Sequence, residues 1–418
     1  MRARATLLEN RAPRNVLPLP SVDNPIKLGV VGLGPRSAGN VIRKALLYED
    51  YNLVSVCDMR PELVNKVVTD IQQSHNLKIN GYTNYDKMLA NEQLDAVAVQ
   101  IDADKQISLA CQAMEAGCHV MVEVPLAYSI EDCWRAVVTT ERTGKIFLLM
   151  EQLRYSGYIR AWREIVKSGI IGKPLFAEGE YFASKSEMYF QDCKGRFYDP
   201  NQASDVSDAM PTWRSKAHNI GYLPHELSPL LYVLDDRVKR VVGMSTKKPS
   251  YKYPNLDRSD MQVALMQTEN DVLMRMAVGH ATAAIKRGDM SGHWHHIKGT
   301  EGVLEWQRSD SEKPKLWIEK WQLNQPIEVP WNTSRTDAPP EAVNSGHGDC
   351  DYYVFAQFAD AVLRGVALEF DIYKAADTAA PAILSAVSIE QENAPQEVPD
   401  FRPGPNRKHG NLPTNIKL

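Results

Sequence analysis

Apolar residues fall in two rhythms along the 418 residues of the chain. Between residues 26 and 150 there are five nearly unbroken apolar runs: Leu28-Gly29-Val30-Val31, Leu53-Val54-Ser55-Val56-Cys57, Ala96-Val97-Ala98-Val99, His119-Val120-Met121-Val122 and Ile146-Phe147-Leu148-Leu149-Met150. They alternate with stretches of helical period over 40–48, 61–73, 85–90, 105–116 and 130–143. A strand that is apolar throughout is buried on both faces, which predicts a parallel sheet with helices on either side. The expected class is α/β, with a doubly wound parallel sheet over 25–150.

Beyond that point the rhythm changes. After a helix over 157–168 and a stop signal at Gly169 to Pro174, an alternating strand over 176–182 leads into an irregular insertion over 183–217. Longer strands follow at 238–245, 261–267, 272–281, 293–298, 302–306 and 315–319, joined by turns and not by helices. That grammar predicts a C-terminal α+β domain over 151–392 with a large, mostly antiparallel open sheet. Helices over 352–364 and 373–389 are expected to cover its apolar face. Residues 1–24 read as an irregular arm. The Pro- and charge-rich tail over 393–418 reads as extended on the surface or disordered.

The first apolar run ends in Gly32-Leu33-Gly34-Pro35-Arg36-Ser37, a strand-to-helix turn of dinucleotide-binding type. Gly32 permits the tight turn, and Gly34 lets the backbone approach a pyrophosphate at the start of the next helix. The second run ends at Asp58, 24 positions after Gly34, where an acid suits a ribose diol and repels a 2′-phosphate. The N-terminal half is therefore expected to be a Rossmann domain holding NAD.

Composition narrows the class further. A charged fraction of 24% with net charge −4 leaves no basic face for nucleic acid. No apolar run approaches the roughly 18 residues of a membrane span. The six cysteines stand at scattered spacings without a C-x-x-C pair, so neither zinc nor a disulfide framework is expected. Residues 1–23 lack the apolar core of a secretion signal, which leads to an expected cytoplasmic location. An exposed face of the antiparallel sheet would suit a homo-oligomer, a dimer or higher.

At Glu123-Val124-Pro125 the layout resembles the superfamily of glucose-fructose oxidoreductase, inositol dehydrogenase and MocA (Gfo/Idh/MocA), over residues 26–390. Dehydrogenases of that group carry Glu-Lys-Pro here and later G-G-x-L-x-D-x-G-x-H. In this chain the lysine is Val124, and the second motif reads Gly221-Tyr222-Leu223-Pro224-His225-Glu226-Leu227-Ser228-Pro229. His225 thus stands at the Asp position and Pro229 at the His position. Losing all three proton-transfer groups is similar to glycoside hydrolase family 109, an NAD-dependent glycosidase family of α-N-acetylgalactosaminidase type. Glu131-Asp132-Cys133-Trp134, Gly346-His347-Gly348-Asp349 and Pro399-Asp400-Phe401 add to that resemblance. The third-strand turn, Ile101-Asp102-Ala103-Asp104-Lys105-Gln106, departs from the pattern.

The resemblance implies a cofactor set of Gly32, Gly34, Arg36, Ser37, Asp58, Ala103, Gln106, Glu123, Val124 and Gln152. It implies a substrate set of Glu151, Tyr181, Tyr222, His225 and His347, with Tyr181 and His225 catalytic. No metal is expected, because His293-Trp294-His295-His296 has no carboxylate or cysteine at a ligand spacing and reads as a solvated strand face. The implied activity is glycoside hydrolysis by oxidation at C3, elimination, hydration and re-reduction. A sugar or polyol dehydrogenase, or a non-catalytic NAD-binding regulator, are the alternatives, since one fold hosts many chemistries.

Overall fold

A computed structural model of the chain describes residues 24–34, 37–284, 286–288, 290–343, 345–405, 407–413 and 416, and of Ser37 and Ala38 the backbone alone. The arm expected over 1–24, apart from Asn24, lies outside the described residues, as do Arg36 and the side chain of Ser37. The chain folds as two compact units. Among the described residues one comprises 24–150, Tyr352–Ala376 and 401 onward, and the other comprises Glu151–Asp351 and Asp377–Asp400.

The first unit is a six-stranded sheet of β1 (Ile26–Val31), β2 (Tyr51–Cys57), β3 (Asn80–Tyr82), β4 (Ala96–Val99), β5 (His119–Val122) and β6 (Phe147–Leu149). The order is β3-β2-β1-β4-β5-β6 and every pairing is parallel. The strand order reverses between β1 and β4, which makes the carboxyl end of β1 the place where such sheets bind ligands. Four apolar side chains of β4, Ala96 to Val99, are wholly buried, as an inner strand requires. The helix Ile130–Thr143 shows why the elements stop where they do. Ser129 caps its start by accepting the N–H of Asp132 at 3.0 Å, and Gly144 ends it in a left-handed conformation, φ 64°.

The second unit carries a nine-stranded sheet. Its strands are β7 (Pro174–Phe182), β11 (Val238–Ser245), β12 (Met261–Thr268), β13 (Leu273–Gly279), β14 (His293–Gly299), β15 (Gly302–Glu305), β16 (Lys315–Ile318), β17 (Ile327–Glu328) and β18 (Gln396–Glu397). Their order is β17-β16-β15-β14-β7-β13-β12-β11-β18, antiparallel except for the parallel pair β7 and β13. The insertion over 183–217, expected to be irregular, contains a small sheet of β8 (Phe190–Gln191), β9 (Phe197–Tyr198) and β10 (Met210–Pro211). Asp192 organises it by accepting the N–H groups of Lys194 and Arg196, the Arg196 guanidinium and the Tyr198 hydroxyl.

Two expectations are corrected. Residues 352–364 do not serve the large sheet. They belong to the first unit, where Phe355 packs edge-on against Tyr48 and Tyr51, and the Tyr51 hydroxyl donates to the Phe355 carbonyl at 2.6 Å. Aromatic complementarity far apart in sequence decides this, and helical period alone cannot show it. The tail is not loose either. Phe401 is fully buried against Trp134 at 4.5 Å, and Arg407 pairs with Glu141 at 2.6 Å. The expected cover of the large sheet survives in the helix from Asp377 onward, where Ser388 accepts the N–H of Gly243 on β11 at 2.9 Å.

Candidate active site

The site in the second unit is assembled by strand register. β14 runs antiparallel to β7 with His293 opposite Tyr181 and His295 opposite Gly179. The two-residue period of strands therefore puts Tyr181, Gly179, His293 and His295 on one face. Cross-strand neighbours meet directly. The imidazole of His293 stacks on the Tyr181 ring with centroids 3.9 Å apart and planes 17° from parallel.

The helix Pro224–Leu234 lies on this face, starting at Pro224 in its first turn, where a missing N–H costs nothing. Gly179 permits the close approach, because a Cβ there would stand 2.9 Å from the Cβ of Glu226. Glu226 is consequently fully buried between the two strand histidines. One carboxylate oxygen pairs with Nδ1 of His293, and the other lies 2.6 Å from Nε2 of His295. The far nitrogen of His295, Nδ1, shares a hydrogen bond with the Tyr158 hydroxyl at 2.6 Å. The solvated face expected for His293 and His295 is thus overturned: both are buried, His295 completely. The sequence signal was their alternate spacing. Their partner Glu226 stands 67 positions from His293, beyond any local pattern.

His225 precedes Glu226 on the same helical turn and points to a second buried carboxylate. Its Nδ1 is 2.6 Å from Glu151, whose other oxygen accepts the N–H of Leu153 at 2.8 Å. Tyr222, at the end of the short turn Asn219–Tyr222, lies 6.2 Å from Tyr181 and 6.3 Å from His225 between ring centroids. Trp213, from the insertion, stacks on Tyr222 at 5.7 Å. His280, which no motif announced, lies edge-on to both tyrosines at 5.3 and 4.7 Å. Its Nε2 is buried without a hydrogen-bond partner among the described residues. Tyr181, Tyr222 and His225 are therefore one cluster with Glu151. His347 stands in a left-handed turn, φ 47°, where its Nδ1 bonds Asp351 at 2.9 Å.

Burial sets the proton states. It drives the Tyr181 phenol far above its usual range, with Tyr222, Glu226 and Glu151 adding and Arg214 opposing, so Tyr181 is an O–H group at neutral pH. Burial lowers His293 to about 4 against the pull of Glu226, and His295 to about 3. It also raises the Glu226 carboxyl, while His293 and His225 pull the other way.

The turn at the end of β1 fits a dinucleotide. Gly32 has φ +86°, and a Cβ on it would collide with the Gln100 carbonyl oxygen, so the turn needs glycine. Among the described residues, a Cβ on Gly34 would meet nothing within 4 Å, which suits a close approach of a ligand at the end of β1. Asp58 is almost buried, accepts the Leu33 N–H at 2.8 Å and the Arg60 N–H at 2.9 Å, and pairs with the Arg60 guanidinium at 3.1 Å. Although burial opposes it, Arg60 and these two N–H groups hold the Asp58 carboxyl below its ordinary value, and it stays ionised. Ala103 begins the helix Ala103–Glu115. Gln106 is turned inward, its amide donating to the carbonyls of Glu123 and Leu126 at 2.9 and 2.8 Å, so it shapes the Glu123-Val124-Pro125 turn. Val124 is buried. In the second unit Gln152 is buried with Oε1 lacking a partner among the described residues.

A doubly wound sheet with this glycine turn, joined in sequence to a large open sheet, is the architecture of NAD-binding oxidoreductases of the Gfo/Idh/MocA type. Residues 26–151 match the oxidoreductase family with NAD-binding Rossmann fold, and the cofactor is NAD. Residues 155–408 match the C-terminal domain of glycosyl hydrolase 109, so the chain belongs to glycosyl hydrolase family 109. A family 109 protein of Porphyromonas gingivalis is 24% identical over 91% of this chain and 85% of its own. A Shewanella oneidensis protein named alpha-N-acetylgalactosaminidase is 25% identical over the same shares. In fold, the chain is similar to scyllo-inositol dehydrogenase from Lactobacillus casei with bound NAD(H) and scyllo-inositol, with TM-score 0.65, 16% identity, and coverage of 90% of this chain and 99% of that one. An Agrobacterium radiobacter oxidoreductase in complex with NAD+ and L-tartaric acid gives TM-score 0.66 at 14% identity, covering 90% and 98%. Among the described residues, no group of three or more His, Cys, Asp or Glu is placed to hold a metal ion, and no helix is long and apolar enough to cross a membrane.

Proposed function

We propose that the chain is an NAD-dependent glycosidase that borrows a hydride from C3 of a sugar and returns it within one turnover. Bound NAD supplies the hydride acceptor for the first half and the donor for the last. Oxidised at C3, the sugar carries a ketone that acidifies its C2 proton. His225 takes that proton: the Glu151 carboxylate, 2.6 Å from its Nδ1, favours a proton on that nitrogen and leaves Nε2 as the basic one. The C1–O bond breaks as the C1–C2 double bond forms. Tyr181, held as a neutral phenol, gives its proton to the departing oxygen. Water then adds at C1 as its proton passes to the Tyr181 oxygen, His225 returns a proton to C2, and bound NAD would return the hydride to C3. Tyr222 and Trp213 offer stacked aromatic faces of the kind that hold sugar rings.

The observation that carries this reading is the Glu151–His225 pair beside a protonated Tyr181, in a chain whose dehydrogenase lysine position is Val124. The N-acetylgalactosaminide of the Shewanella oneidensis relative's name is the first glycoside to test. Purified protein loaded with NAD should release the aglycone from an aryl glycoside while absorbance at the NADH wavelength returns to its starting value. Lasting NADH with an oxidised sugar would establish a dehydrogenase instead.

A further inference from the structure

The oxidation half of this reaction needs a base for the C3 hydroxyl, and the group that dehydrogenases use for it is replaced by Val124. We propose that His293 is that base, and that it stores the proton in the buried network of Glu226, His295 and Tyr158 until re-reduction. The inference rests on the redox reading of the same site.

With Glu226 as carboxylate, Nδ1–H of His293 donates to one of its oxygens, the Tyr158 O–H donates to Nδ1 of His295, and Nε2 of His295 stands 2.6 Å from the other Glu226 oxygen without a hydrogen bond to it. In that pattern Nε2 of His293 is a bare lone pair. The ring carrying it is stacked on Tyr181 and stands 5.8 Å from the His225 ring, within the proposed sugar site. A carboxylate with no exposed surface, hydrogen-bonded by the neutral His293, leaves one uncompensated negative charge in a dry interior, an expensive state. Uptake of one proton removes that charge.

The C3–O–H bond breaks and its proton bonds to Nε2 of His293. Bound NAD would accept the hydride released as the C3–H bond breaks, which would leave C3 a ketone. The Nδ1 proton of His293 moves to Glu226, leaving His293 neutral in its other tautomer and the network uncharged. On re-reduction each transfer reverses and the hydroxyl regains its proton. The elevated Glu226 carboxyl and depressed His293 suit a proton that ends on the carboxylate and not on the imidazole. His293 is the catalytic residue here, whereas Glu226, His295 and Tyr158 act through it. The closed cycle explains why a site that returns its hydride can also keep the accompanying proton out of solvent.

Two measurements test this. In the cofactor-free protein, 15N NMR of the imidazoles at neutral pH should find His293 protonated at Nδ1 and bare at Nε2. A resting Nε2–H would overturn the proposal. In the NAD-loaded protein, His293→Gln should slow single-turnover hydride transfer from a glycoside by 10²-fold or more. The same variant should process a 3-keto glycoside, which needs no oxidation, within about threefold of the parent. Equal slowing on both substrates would make His293 a structural residue, and undiminished hydride transfer would remove it from catalysis. His293→Asn, smaller and less able to disturb the stack, should repeat the split. Failure of the hydrolase reading registers elsewhere, as lasting NADH in the parent, and would leave the His293 comparison on hydride transfer intact.

Discussion

Nδ1 of His225 stands 2.6 Å from the carboxylate of Glu151, and both side chains belong to the unit that carries the large sheet. A buried carboxylate on Nδ1 fixes which nitrogen faces outward and stabilises the imidazolium formed when that nitrogen takes a proton. His225→Gln should therefore lower turnover by roughly 10²- to 10⁴-fold with NAD affinity unchanged. Glu151→Gln keeps a hydrogen-bond acceptor but not the charge, and should cost less than the histidine. Kinetics and a cofactor titration on each variant check this. Greater impairment in Glu151→Gln than in His225→Gln would show that Glu151 itself takes the proton.

Tyr181 has a different duty. Its phenol is raised by burial, so it serves as a donor throughout the neutral range and not as a base. Tyr181→Phe should lower turnover of glycosides with poor leaving groups by about 10²-fold, and have far less effect on aryl glycosides whose phenolate leaves unaided. Equal loss on both would place Tyr181 at another step.

The buried Glu226 network makes a stability prediction with a defined sign. His293 and His295 have folded pKa values near 4 and 3, below the ordinary value of 6.5, so the unfolded chain binds more protons than the folded one between those limits. Stability should fall as pH drops from about 6.5 toward 4, by up to about 2 kcal/mol for each histidine at pH 5. The raised Glu226 carboxyl works against this loss, because the folded state there binds the extra proton. His295→Gln should flatten the acid limb in a plot of melting temperature against pH. Glu226→Ala removes a buried charge but leaves the His293 N–H without its acceptor, and should cost only about 1–3 kcal/mol at pH 7 in urea unfolding.

Much of this architecture could be read from the chain, and the parts that could not share one physical cause. Unbroken apolar runs and alternating ones depend on near neighbours, so the parallel and antiparallel sheets were both visible, as was the glycine turn with Asp58 beyond it. Pairings between distant segments were invisible. Glu226 looked like one more residue of a motif until β7 and β14 placed His293 and His295 on either side of it. His280 follows a strand end with no neighbour in sequence to mark it, yet its ring closes the Tyr181 and Tyr222 cluster. Phe355 and Phe401 read as cover and tail because their partners Tyr51 and Trp134 lie hundreds of positions away. The alternation of His293 and His295 was the one local clue, and a buried carboxylate was needed to give it meaning.

Cofactor choice follows from Asp58, ionised in its nest of N–H donors and Arg60. Its negative charge repels a 2′-phosphate, so NAD should bind far more tightly than NADP, and Asp58→Ala should narrow the gap by tenfold or more. Arg60 is then released from its carboxylate and becomes available to a phosphate, so Asp58→Ala with Arg60→Ala should narrow the gap less than Asp58→Ala alone. Calorimetric affinities for both dinucleotides decide the matter, and equal affinities in the parent would refute the role of Asp58.

The mechanism is most sharply tested by the fate of one hydrogen. If His225 removes the C2 proton once C3 is oxidised, that proton reaches a nitrogen whose hydrogens exchange with solvent, and C2 is later reprotonated from the same pool. Hydrolysis in D₂O should therefore leave deuterium at C2 of the released sugar and protium at C3, because the hydride leaves and returns without meeting water. A direct displacement at C1, the route of two-carboxylate glycosidases, touches neither position. NMR of the product reads both carbons at once. Deuterium at C2 alone supports the redox cycle, and deuterium at neither rejects it. His225→Gln sharpens the test: with C2 deprotonation disabled, the oxidised sugar should accumulate with NADH in the first turnover, whereas a variant that releases aglycone with C2 still exchanging would assign the base to another residue.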